Sequence, residues 1–179
     1  MFTGHGETFE CPLKIAKLNF MALPDDIADL VFRIEKFAAN SASISFPESG
    51  KKVEVELESK DRKMIFHLNV IRSPKQRKQV TFNLRYREIY SIRRLDFHAN
   101  HANPDVTPPD PIFAPYVGHR FKQEDHLHIH TEIFNDRWAI PLADFAELDI
   151  EEADSLPEKL RKFLTYCNVQ GVEFSQPIF

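Results

Sequence analysis

Three histidines alternate in the stretch "EDHLHIHTE": His126, His128 and His130, separated by Leu127 and Ile129 and bracketed by Glu124 and Glu132. Imidazole is the side chain whose unperturbed proton exchange falls near neutrality, and it is also the commonest metal ligand. Related groups stand upstream: Arg93, Arg94 and Asp96 in "RRLDF", His98, His101 and Asn103 in "HANHANPD", and His119 in "GHRF". Two chemistries compete for this set. In the first, which needs no metal, the histidines act as acid and base on a phosphodiester such as RNA. One takes the proton of a 2′-hydroxyl, another protonates the leaving oxygen, and arginine grips the phosphate with a permanent charge. Adjacent imidazoles resist double protonation, which leaves one charged and one neutral near neutrality. The second chemistry is a mononuclear metal centre, with His126 and His128 joined by His101, His119 or Asp96. Imidazole plus carboxylate suits zinc, iron or manganese.

The spacing also dictates the element that must carry these groups. Side chains alternate faces along a strand, and i, i+2 neighbours stand about 6.5–7 Å apart. His126, His128 and His130 are then expected on one face, with Leu127 and Ile129 turned into the core. A plain solvated face is the simplest alternative, although Thr, Lys or Glu would serve that purpose as well. "HLHIHTE" is similar to the first half of a cupin metal motif, yet the chain has no histidine after His130 and no framing glycines. It also resembles the motif of histidine-triad nucleotide hydrolases, but Thr131 and Glu132 stand where apolar residues belong.

The scaffold reads as helix, strands, long loop, strands, helix. "LPDDIADLVFRIEKFAAN" predicts a helix capped by Asp25 or Asp26, with Ile27, Leu30, Ile34 and Phe37 as its stripe, stopping near Asn40. "SASISFP", "KKVEVELES", "KMIFHLNVI" and "KQVTFNLRYREIY" alternate as strands. The links "PESGKK" and "ESKD" predict hairpin turns within an antiparallel meander. In the last of these strands Val80, Phe82, Leu84 and Tyr86 share one face, and Arg85 and Arg87 the other. Five prolines between Pro104 and Pro115 predict a long loop over about 98–124. "DHLHIHTEIF" and "RWAIPL" predict a late hairpin turned at Asn135-Asp136. "SLPEKLRKFLTYCNV" predicts a helix capped by Ser155, with Pro157 in its first turn and Leu160, Phe163, Leu164 and Cys167 as its stripe. The expected fold is α+β: an antiparallel sheet with an N-terminal and a C-terminal helix packed on it, in a single domain over 1–179 with its core at about 22–170.

Composition narrows the classes. A hydrophobic fraction of 42% and sixteen phenylalanines support a packed core and exclude a disordered chain. No apolar run is long enough for a membrane span, and "MFTGHGETFECPLK" lacks the pattern of a secretory signal. Cys11 and Cys167 form neither a disulfide framework nor a zinc motif, so two reduced buried thiols and a cytoplasmic location are expected. The net charge of -4 is unevenly laid out. Eight basic residues against the single acid Glu88 lie between Arg72 and Arg94, and seven acids with no base lie between Asp144 and Glu158. The basic run, leading into the histidines, suggests an anion or phosphate surface.

"RLDFHANHANPD", "HLHIH" and "WAIPL" together resemble a family of uncharacterised bacterial and phage-borne small proteins. The likeness runs from about Arg85 to Val169. Its motif falls on Arg94, Asp96, His101, Asn103, His126, His128 and Trp138. His130 stands where that family carries tyrosine, and "VTPPDPIFAPYVGHRFKQED" is a longer insert. The order of Arg-x-Asp, a histidine–asparagine loop and a later His-x-His is also similar to TumE-like toxins of toxin–antitoxin pairs. That resemblance implies a nucleic-acid-directed activity that blocks translation, and a partner antitoxin.

The function expected from the sequence is a toxin-like, RNA-directed enzyme, a metal-independent RNase, with Arg94, Asp96, His101, His126 and His128 as its catalytic set. Arg85, Arg87, Arg93, Asn103, His119 and Trp138 would bind substrate, Trp138 either stacking on a base or anchoring the core. No cofactor is required in this reading; a metal at His126 and His128 belongs to the alternative of a metal-dependent enzyme. The remaining alternative is a non-catalytic phage or mobile-element protein that binds a host or defence protein. RNA and a protein partner are the expected contacts, and no membrane.

Overall fold

A computed structural model describes residues 22–39 and 43–175 of the chain. Alternation of apolar and polar residues builds the strands β1 (Lys36–Ala38), β2 (Ser43–Ser45), β3 (Lys52–Ser59), β4 (Ile65–Arg72), β5 (Val80–Tyr86), β6 (Tyr90–Ala102), β7 (Arg120–Thr131), β8 (Asn135–Pro141), β9 (Val169–Gln170) and β10 (Glu173–Ser175). Two helices accompany them, α1 (Asp25–Arg33) and α2 (Leu156–Tyr166). Eight strands form one sheet in the order β8-β7-β6-β5-β4-β3-β1-β9. From β3 to β8 it is an antiparallel meander of consecutive neighbours, while β9 joins the far edge parallel to β1. The α+β expectation therefore stands.

Period-two patterning separates the two faces. One register row crosses the sheet as Val53, Val70, Phe82, Leu95, Leu127 and Ile140. This is the core face, on which α2 lays Leu160, Phe163 and Leu164; the Phe163 and Phe82 ring centroids are 5.8 Å apart. The next row is polar: Glu54, Asn69, Asn83, Arg94 and His128, ending at Ala139. The row on the other side of the core row aligns Thr81, Asp96, His126 and Pro141. The residues of chemical interest thus lie on the face opposite α2.

Several boundaries differ from the sequence expectation. Helix α1 ends at Arg33, not near Asn40, and Pro24 holds its N-cap position without a side-chain hydrogen bond. Asp25 instead accepts from the Glu132 amide at 2.7 Å, tying α1 to the β7–β8 turn. Its buried face is Ala28 and Val31, with Ile27 and Leu30 exposed. Strand β2 pairs in parallel with β10 as a separate two-stranded sheet, so "PESGKK" closes no hairpin. Strand β5 ends at Tyr86, and Arg87 enters the following turn with φ of 51°. The late hairpin turns at Glu132–Phe134, one step before Asn135. Helix α2 follows the reading: Ser155 caps it by accepting from the Glu158 amide at 3.4 Å. Cys167 is a buried free thiol that burial pushes up to about 12. Cys11 lies outside the described residues.

The loop proves shorter than 98–124, because β6 continues to Ala102 and β7 begins at Arg120. His98 and His101 are strand residues. Two register shifts interrupt the β6–β7 ladder around Ala99. His98 and Gln123 take positive φ there, 47° and 52°, each a backbone state costing about 1–3 kcal/mol outside glycine. Side-chain carboxylate and amide oxygens hold both: the His98 amide donates to Asp125 Oδ1 at 2.8 Å and the Gln123 amide to Asn100 Oδ1 at 2.9 Å. The loop proper is tied down by Asn103, which is buried. Its Nδ2 donates to the Tyr116 and Ala139 carbonyls at 2.9 and 2.8 Å, and its Oδ1 accepts from the Ala139 amide at 2.9 Å. A short 3₁₀ helix, Pro111–Tyr116, then drops Phe113 onto Trp138 with ring centroids 5.4 Å apart.

Candidate metal centre

Register brings the chemistry together. His128 lies opposite Arg94 and His126 opposite Asp96, on adjacent strands of the polar face. Asp96 is the hub. Its Oδ1 accepts from Thr81 Oγ1 at 2.6 Å and its Oδ2 from Arg94 Nε at 3.0 Å. The same Oδ2 stands 3.2 Å from His128 Nε2 and 3.7 Å from His126 Nε2. Asp96, His126 and His128 each offer one ligand atom, and these three atoms all lie within 4.8 Å of one another. Both imidazoles are fully buried.

The other ring nitrogens settle the tautomers. His126 Nδ1 lies 2.8 Å from the Glu124 carbonyl and His128 Nδ1 2.8 Å from the Asp136 carbonyl. A carbonyl only accepts, so each Nδ1 carries a proton; His126 turns an Nε2 lone pair toward Asp96, whereas His128 Nε2 meets both Arg94 and Asp96. His126 Nε2 is buried and has no hydrogen-bond partner among the described residues. Burial, reinforced by the neighbouring His128, lowers the His126 pKa to about 4, which keeps that ring neutral. Burial alone would raise the Asp96 carboxyl; the His128 contact and the Arg94 charge outweigh it and hold the group well below the usual carboxylate range.

Arg94 closes the cluster. Besides Asp96 it pairs with Asp136 through Nη1, and its Nη2 lies 2.8 Å from His128 Nε2. No single protonation state of His128 satisfies this set. Neutral, it accepts from Arg94 and faces the Asp96 carboxylate with a lone pair; charged, it donates to Asp96 and faces a guanidinium. With neutral imidazoles, two carboxylates meet one guanidinium, so the site is net anionic. His101 caps it: its ring lies 4.5 Å from that of His128 and 5.6 Å from that of His126. His101 Nε2 donates to the Arg137 carbonyl at 2.9 Å. Burial first, then His128, lowers its pKa.

A model described as a family of unknown function (DUF6978) matches residues 23–169. The chain belongs to that family. No curated protein and no solved structure matches it, so the likeness to TumE-like toxins gains no support from these comparisons.

Within this DUF6978 chain, the five residues expected to be catalytic, Arg94, Asp96, His101, His126 and His128, come together. The expected substrate-binding residues mostly do not. Arg93 is on the core face, its guanidinium 4.0 Å over the Phe32 ring and its Nε 3.2 Å from Tyr166 Oη. Trp138 is completely buried against Phe113 and Phe134, so it anchors the core and presents no surface to a base. Asn103 spends its amide on the loop, as described above. Arg85 lies further along the polar face, on the Glu88 carbonyl at 2.8 Å and Glu54 at 3.3 Å. Arg87 stacks over Tyr86. His119 sits at the edge of the cluster, 3.3 Å from Glu124 and with its ring 4.5 Å from that of Phe121, which in turn packs on His126. His130 leaves its neighbours: its Nε2 donates to the Leu23 carbonyl at 3.0 Å.

Sequence reasoning missed Asp136, Thr81 and the Glu124 carbonyl. Thr81 had a signal, since alternation places it on the polar face of β5. Asp136 was visible only as a turn residue, because its pairing with Arg94 spans forty-two positions. A backbone carbonyl leaves no trace in a side-chain pattern.

Proposed function

We propose that this chain is a metal-dependent hydrolytic enzyme, with Asp96, His126 and His128 as ligands to one divalent ion and Arg94 as the grip on an oxyanion of the substrate. The observation that carries the reading is the convergence of two Nε2 atoms on one carboxylate oxygen, each ring oriented by Nδ1 donation to a backbone carbonyl. Metal-binding histidines are oriented in this way by a second hydrogen bond. Three protein ligands leave coordination positions open for water and substrate. Bound there, a divalent ion supplies Lewis acidity and lowers the pKa of a coordinated water. With an ion held there, Arg94 would keep its pairing with Asp136, and the guanidinium N–H groups that now meet His128 and Asp96 would serve an oxyanion of the substrate. His101, neutral and partly exposed, is placed to take a proton.

The second reading is metal-free acid–base action on RNA. The Arg94–His128 contact favours it, since a guanidinium beside an imidazole is the arrangement a phosphate would bridge. One experiment separates the two. Chelator-stripped protein is titrated with Co²⁺ and Zn²⁺, followed by visible absorption and calorimetry, alongside His126→Ala and Asp96→Asn. One ion per chain in the wild type, weakened at least a hundredfold in both variants, supports the metal centre. Equal binding by wild type and variants overturns it, and RNA cleavage that persists in chelator and disappears in His128→Ala then supports the second reading.

A further inference from the structure

A cavity of about 600 Å³ lies on the opposite face of the sheet, between α2, the β6–β7 irregularity and the segment that leads into α2. Its apolar lining is Phe97, Leu142, Ile150 and Leu156. Lys159 projects from α2 into this lining. The residue is 9% exposed, and its Nζ stands 5.0 Å over the Phe97 ring.

Lys159 differs from the other enclosed lysine and from its neighbour on α2. Lys36 satisfies its ammonium on three carbonyls, those of Phe32, Ile34 and Cys167, at 2.7 to 3.0 Å. Lys162, one turn along α2, donates to Asp154 at 2.8 Å and to the Asp149 carbonyl. Lys159 has no hydrogen bond and no ion pair among the described residues. No protein acceptor among the described residues meets this ammonium, which opens to the cavity, so its partner must come from the cavity's contents.

We infer that the cavity binds a small monoanion with an apolar body, such as a medium-chain or aryl carboxylate, its carboxylate on Lys159 and its hydrocarbon on Phe97, Leu142, Ile150 and Leu156. The rim decides between anions. Arg77 and Lys78 stand there against Glu124, Glu151 and Glu152, so the mouth carries a slight excess of acid and repels a polyphosphate far more than a single charge. Asp154 and Asp125 also line it, but both are occupied, by Lys162 and by the His98 amide. The volume lies within the range of small-molecule sites, about 300–1,000 Å³. The site does not depend on the metal reading.

The test is calorimetric titration of the full chain with octanoate and with octanol. One octanoate per chain, bound at least tenfold more tightly than octanol, is expected. Lys159→Met keeps the side-chain volume and removes the charge; it should lower octanoate affinity to that of octanol while octanol binding persists. Ile150→Asp, a half-exposed position, should abolish octanoate binding and serves as the second variant if Lys159→Met does not fold. Equal affinity for octanoate and octanol in the wild type, or unchanged octanoate affinity in either folded variant, overturns the assignment.

Discussion

Replacing His126 by phenylalanine separates a ligand from a core histidine. The ring is fully buried between Phe121 and His101, so phenylalanine fits in volume and in stacking. Two polar terms change. The Nδ1 donation to the Glu124 carbonyl is lost, and leaving that acceptor unpaired costs about 1–3 kcal/mol. The Nε2 atom that has no partner disappears, and its desolvation penalty, again about 1–3 kcal/mol, is recovered. The terms oppose each other, so the metal-free variant should be as stable as wild type within about 1 kcal/mol. Its response to metal should differ completely. At a free ion concentration about a hundred times Kd, binding stabilises the folded wild type by about 2.7 kcal/mol. For a domain of this size that is a rise in Tm of about 5–11 °C. Thermal unfolding followed by circular dichroism, with chelator and with excess Zn²⁺, reads both quantities. His126→Phe should melt with wild type in chelator and show no rise with Zn²⁺. A variant destabilised by more than about 3 kcal/mol in chelator refutes the cancellation and makes His126 structural. A variant with a full Zn²⁺ response refutes its role as ligand.

Two further outcomes follow from the same geometry. His126 has a folded pKa of about 4 against 6.5 in the unfolded chain, so the unfolded state binds more protons between those values. Wild-type stability should be complete above pH 6.5 and fall as pH drops toward 4, by up to about 3 kcal/mol; His101 has the same sign. Denaturant titrations of metal-free protein across that window should show a shallower slope in His126→Phe, and equal slopes would contradict the assigned neutrality. Trp138→Ala should cost about 3–5 kcal/mol as a core deletion. A folded variant of near wild-type stability with weakened RNA binding would contradict its placement as a core anchor.

Much of the fold was legible because it follows local periodicity. Strand β5 alternates buried and half-buried residues throughout, and the register row from Val53 to Ile140 is the apolar half of the alternation that its neighbours share. Helix α2 carries its cap, its early proline and its stripe within fifteen residues. Helix α1 was misjudged because Ile34 and Phe37 extend its period past Arg33, where the backbone turns extended at Ile34. The loop was overestimated because histidine and asparagine read as loop residues, whereas β6 carries them through two register shifts stabilised by Asp125 and Asn100. His130 could not be read correctly from alternation, since the ladder slips after Ile129 and Leu23, far away in sequence, supplies its partner.

By itself the sequence determined which groups exist and which face each takes along its own strand: imidazoles opposite Leu127, Arg94 and Asp96 opposite Leu95. Alternation is a property of a single extended chain and needs no neighbours. Tertiary structure decided what those groups are to one another. Register set His128 against Arg94 and His126 against Asp96. Backbone carbonyls from Glu124 and Asp136 chose the tautomers, and Asp136 drew the guanidinium into the cluster. Arg93, which alternation alone turns to the face opposite Arg94, received its partners Phe32 and Tyr166 only from packing of distant segments. Convergence of polar atoms depends on contacts between distant segments, and no local pattern encodes them.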